Sequence, residues 1–131
     1  LIGNTKKKMD EKEQNKTLDY YINKCPLFNN YKGAYHNIEI KKGKAYTICE
    51  IDDFYIYSDF VLLGENKCRD SYGCHKHMDK QIKRFKRYEN LISKKFGVHG
   101  TPFHYFYAHF DDNLLHIEYE GMKKFYQKKP K

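Results

Sequence analysis

A chain of 131 residues with 40% hydrophobic and 32% charged side chains, 3 Pro and 8 Gly has the composition of one folded domain. That balance excludes a two-domain enzyme, a collagen-like repeat and a disordered chain, and the longest apolar runs fall far short of the roughly 20 residues of a membrane-spanning helix. The net charge of +8 points toward acidic partners, although 22 of the 25 basic residues are Lys and only Arg69, Arg84 and Arg87 carry the fork suited to phosphate.

Residues 10–25 read as a helix, because Leu18, Tyr21, Ile22 and Cys25 fall at i, i+3, i+4 and i+7 with Asp10, Glu11 and Glu13 near the N-terminus; Pro26 ends it. Three strand-like runs follow, Ala34–Ile40, Lys44–Ile51 and Phe54–Leu63, separated by Lys41-Lys42-Gly43 and by Asp52-Asp53. Short turns make neighbours antiparallel, so these runs predict a three-strand meander. The period of Met78, Ile82, Phe85, Tyr88, Ile92 and Phe96 predicts one long helix from about His77 to Phe96, capped by Gly97. A hairpin, Phe103–Phe110 with Asn113–Tyr119, comes next, and Gly121–Tyr126 suits a short closing helix. The expected fold is α+β: an antiparallel sheet of meander plus hairpin, with a long basic amphipathic helix on one face and an N-terminal helix. It spans 1–131 as a single domain with frayed Lys-rich ends at about 1–9 and 127–131.

Residues 64–100 hold ten basic and four acidic side chains, and the helix within them offers Lys76, Lys80, Lys83, Arg84, Lys86, Arg87, Lys94 and Lys95. Such a face suits nucleic acid or an anionic lipid; the plain alternative is a solvated surface. Lys, Asn, Ile, Tyr and Phe, all favoured by A/T-rich codons, make up nearly half the chain, so part of the charge reads as genome composition. Alternation places Tyr55 and Tyr57 opposite Phe54 and Ile56, and Tyr105 and Tyr107 opposite Phe106, Ala108 and Phe110. A Tyr-rich face results, to be covered by the N-terminal helix, by a protein partner or by stacked bases.

Cys68, Cys74, His75 and His77 are the one concentration of metal-ligating types, but their spacing departs from that of structural zinc sites, and a Cys68–Cys74 disulfide or free thiols are the alternatives. Cys74, ahead of the expected helix and beside Lys76, His75 and His77, has the setting of an activated thiol, against which an incidental exposed loop stands as the simpler reading. Four thiols (Cys25, Cys49, Cys68, Cys74) allow three pairings in an exported chain and favour an intracellular one otherwise; Asn15-Lys16-Thr17 fits a glycosylation sequon. Gly97-Val98-His99-Gly100 lacks the spacing of a phosphate loop, and Asp52-Asp53 and Asp111-Asp112-Asn113 suit turns. The seven histidines (His36, His75, His77, His99, His104, His109, His116) show no convergent trio. The sequence therefore reads as a non-enzymatic interaction or assembly domain with a protein partner and no cofactor. Polyanion or lipid binding through residues 76–95 is the second reading, and a small enzyme centred on Cys74 the third.

Overall fold

Local signals and their partners are clearest at the N-terminus of the computed structural model, which describes residues 10–44, 46–67, 72–111, 114–120 and 124–128. Asp10 caps α1 (Glu11–Lys24), its carboxylate accepting the Glu13 amide at 2.8 Å, with Glu11 and Glu13 in the first turn where the helix dipole favours acid. Cys25 closes the helix ahead of Pro26. The chain continues through β1 (Gly33–Lys42), β2 (Tyr46–Ile56), β3 (Val61–Lys67), α2 (Tyr72–Arg87), α3 (Glu89–Phe96), β4 (Phe103–Asp111), β5 (Leu114–Tyr119) and β6 (Lys124–Lys128).

The six strands lie in sequence order in one sheet, and every neighbouring pair is antiparallel except β3 and β4. The expected all-antiparallel sheet is thus corrected to a mixed one. A meander and a hairpin can join either way, and here the α2–α3 crossover carries the chain back so that β4 runs alongside β3. The expected single helix is two, because Tyr88 (φ −109°, ψ 22°) leaves helical geometry and caps α3. The apolar period runs straight through that break, so spacing could not reveal it. The closing helix expected over Gly121–Tyr126 is also corrected: residues 124–126 belong to β6, paired with β5, and residues 121–123 lie outside the described residues. Gln127 and Lys128, expected in a frayed tail, pair with β5 as well.

Asp52-Asp53 is not a turn. β2 runs through it to Ile56, and the reversal comes at 57–60, where the Tyr57 amide donates to the Phe60 carbonyl and the two rings stack at 4.3 Å between centroids. The registers Phe54–Leu63–Tyr105 and Tyr55–Leu62–His104 then decide the faces. Phe54, Val61, Leu63 and Tyr105 pack with Ile82, Phe85 and Ile92 of α2 and α3. On the other side Tyr55, Tyr57, Leu62, Phe106, Ala108 and Phe110 pack with Leu18, Tyr21, Ile22, Cys25 and Phe28. The expected common Tyr face is thereby corrected, since Tyr55 and Tyr57 lie on the α1 side and Tyr105 on the α2 side. Alternation orders residues within a strand, but only register relates one strand to the next.

Three irregularities share one cross-section of the sheet. The β2–β3 ladder ends at Asp53–Gly64, while β3 stays paired with β4 as far as Lys67. Asn37 has φ 55°, and the Asn37–Asp52 pair is skipped. On the near side of that point, Ala34 and Tyr55 pack with α1; on the far side, Ile38, Ile40, Cys49 and Ile51 pack with α2 and α3. Both strands keep their alternation across the change, so the β1–β2 ribbon turns over at Asn37 and Asp52 and lays its outer half against the α2 side. Asn tolerates the left-handed region better than other residues with a Cβ, and its side chain donates to Glu11 of α1.

Candidate functional site

Where β2 parts from β3, backbone groups lose their ladder partners, and side chains take their place. The Asn66 amide donates to Asp52 at 3.1 Å, and the Asn66 side chain donates to Asp53 at 2.6 Å. Asp53 is fully buried and stands directly across the ladder from His36. His36 reaches Asp53 through Nδ1 at 2.7 Å and Asp19 of α1 through Nε2 at 2.9 Å, and the Tyr55 hydroxyl donates to the same Asp19 carboxylate at 2.7 Å. One helix and three strands thus meet in a single polar network.

The electrostatics follow from this packing. Burial alone would lower the His36 pKa, but the hydrogen bonds and charges of Asp19 and Asp53 overcome it and push the value up to about 10. His36 is therefore an imidazolium at neutral pH, with both N–H groups donating to carboxylates. Burial pushes Asp53 up to about 6 against the opposing pull of His36 and Asn66. Burial, reinforced by the negative charges of Asp53 and Asp19, holds the Tyr55 hydroxyl well above its ordinary range. With both ring nitrogens engaged, His36 has no lone pair to accept a proton or hold a metal. The network ties α1 to the sheet at the point where the ribbon turns over. Sequence reading missed it because Asp19, His36, Asp53 and Asn66 are far apart in the chain. The one local signal was a histidine placed opposite an aspartate once β1 and β2 are correctly registered.

The sequence-derived candidates fall elsewhere. Cys68 lies outside the described residues; Cys74 and His75 are described by backbone alone, in the first turn of α2, and His77 is exposed. The segment expected as a loop up to His77 is therefore helical from Tyr72, which corrects the placement of Cys74 ahead of a helix. Among the described residues no group of three or more His, Cys, Asp or Glu side chains could hold a metal ion. Cys25 and Cys49 are free, buried and on opposite sides of the sheet, which removes any pairing between them; burial pushes the Cys49 thiol up to about 11.

The tyrosines proposed as a docking face are interior. Tyr55 is 0%, Tyr105 4% and Tyr57 7% exposed, and Tyr107 is half-buried. The Tyr57 hydroxyl donates to the Phe28 carbonyl at 2.6 Å. Tyr105 donates to Glu89 and Tyr107 to Asp79. The cations, by contrast, are outside: Lys76, Lys80, Lys83, Arg84, Lys86, Arg87, Lys94 and Lys95 are all exposed, while Ile82, Phe85 and Ile92 of the same helices are buried. Lys86 pairs with Glu120 and lies over the Tyr105 ring, whose centroid is 5.6 Å away. Among the described residues no helix is long and apolar enough to cross a membrane. No protein-family model, no curated protein and no solved structure matches this chain.

Proposed function

We propose that this chain is a non-enzymatic interaction domain that holds an acidic macromolecule against the outer surface of α2 and α3. The observation that carries the reading is the segregation of those helices: apolar side chains inward, eight exposed cations outward. The face has a second property. The only acidic residues of α2 and α3 are Asp79 and Glu89, and the β4 hydroxyls of Tyr107 and Tyr105 each take one of them. The sheet thereby orients these two carboxylates toward itself, and the face keeps eight cations against two acids. Tyr105 and Tyr107, two of the four tyrosines read from sequence as a docking face, hold the acidic residues of these helices instead.

Surface cations attract a polyanion mainly by releasing its counter-ions, so the interaction must weaken steeply with salt. Heparin binding at low ionic strength is expected for the unaltered chain. The combined change Lys80→Glu, Lys83→Glu and Arg87→Glu is expected to weaken it by at least tenfold, with circular dichroism unchanged. Undetectable binding of both heparin and nucleic acid at low salt refutes the reading.

A further inference from the structure

Helical geometry resolves the cationic face into a line. At 100° per residue, Lys76, Lys80, Lys83 and Arg87 of α2 fall within an arc of about 60°, diametrically opposite buried Phe85, and the line runs about 16 Å along the axis. Arg84 and Lys86 flank it on either side. No acidic residue of α2 lies on the line, Asp79 being turned to Tyr107 at its margin. The exposed large apolar residues among those described, Tyr20, Leu27, Tyr35 and Tyr46, belong to α1, to the loop after it and to the β1–β2 ribbon, and none lies on α2 or α3.

We infer that the partner is a nucleic-acid duplex, gripped along its phosphate backbone by the Lys76–Lys80–Lys83–Arg87 line. The inference rests on the polyanion reading above and narrows it. A straight row of point charges on a rigid helix matches a rigid row of phosphates, whereas proteins that hold single strands combine a basic groove with aromatic side chains on which bases stack. Among the described residues the cationic line has no such platform. Exposed Tyr35 leans on Phe96 of α3 and Phe54 of β2. With mostly Lys in the row, the contact positions the duplex without reading its bases.

The test compares a short mixed-sequence DNA duplex, a single strand of equal length, heparin and vesicles containing phosphatidylserine, each titrated across salt. For four phosphate contacts the logarithm of duplex affinity should fall with the logarithm of salt at a slope of about −3.6, and the duplex should bind more tightly than the single strand. Replacing Lys80 and Arg87 by Gln should reduce that slope by about 2, whereas Lys12→Gln with Lys16→Gln, on the exposed surface of α1 beyond the opposite face of the sheet, should leave it unchanged. Tighter binding of the single strand, weakened by Tyr35→Ala, overturns the duplex inference while leaving the polyanion reading standing. So does binding to heparin or vesicles without binding to duplex. Failure of all four ligands at low salt refutes both.

Discussion

The two faces of the central strands are covered by helices held in different ways. On the α1 side, apolar contacts from Leu18, Tyr21 and Ile22 are joined by an ionic network in which Asp19 shares His36 with buried Asp53. On the α2–α3 side the contacts are apolar, and the ties to the sheet are tyrosine hydroxyls that donate to Asp79 and Glu89. The first arrangement spends charge inside the molecule; the second keeps acidic groups next to the sheet and leaves cations outside. One helix is tied to the sheet by charge, while the other pair carries its charge on the outside.

If both faces are true core, matched truncations should cost alike. Phe85 under α2 is 0% exposed, and Phe28 on the α1 side is 2% exposed and stacked on Tyr119. Phe85→Ala and Phe28→Ala should each destabilise by about 3–5 kcal/mol in denaturant titrations. A much smaller loss at Phe28 would show that the α1 side is held by its ionic network rather than by packing.

A smaller effect tests how closely the sheet itself is packed on the α1 side. A Cβ added at Gly64 would sit 2.2 Å from two ring carbons of Phe106, which is 1% exposed and directly across the β3–β4 ladder. Gly64→Ala should therefore cost about 1–3 kcal/mol by overpacking. Combining it with Phe106→Leu should cost less than the sum of the two single changes, because the clash goes with the ring. Strict additivity in that cycle would mean that the ring moves aside freely.

The parts of the fold legible in sequence were those carried by local chemistry. The α1 stripe with its cap and Pro26, the hydrophobic alternation of β1 and β4, and the apolar period of the second helical region are all short-range signals. What failed was long-range or side-chain-mediated. Asp52-Asp53 carries a turn signature, yet it lies within a strand, where Asp52 accepts the Asn66 backbone amide and Asp53 the Asn66 side chain as β2 leaves β3. The parallel β3–β4 pairing and the separation of Tyr55 from Tyr105 depend on register across the crossover, which no window of sequence contains. The cations were legible as residues, but the partners of Asp79 and Glu89 required knowing where the β4 hydroxyls reach.

The gentlest probe of the contrast is pH, because a single titrating proton changes stability by at most about 1.4 kcal/mol per unit. His36 is raised from 6.5 to about 10 in the folded chain, so its contribution is fully present below pH 6.5 and is lost as pH rises toward 10. Asp53 is raised from 3.8 to about 6, and its contribution has the same sign: present below pH 3.8, lost as pH rises to 6. The α1-side network therefore favours the folded chain most on the acid side of each window. His36→Gln retains a donor for one carboxylate but cannot carry the charge. It should flatten the stability profile between pH 6.5 and 10, while Asp53→Asn should flatten it between 3.8 and 6. Tyr107→Phe on the other side removes a hydroxyl bound to Asp79 and should change the slope in neither window. Denaturant midpoints measured across pH for the three variants decide the matter. An unaltered slope above pH 6.5 in His36→Gln would mean that the imidazolium does not fasten α1 to the sheet, and the ionic contrast between the two faces would fall.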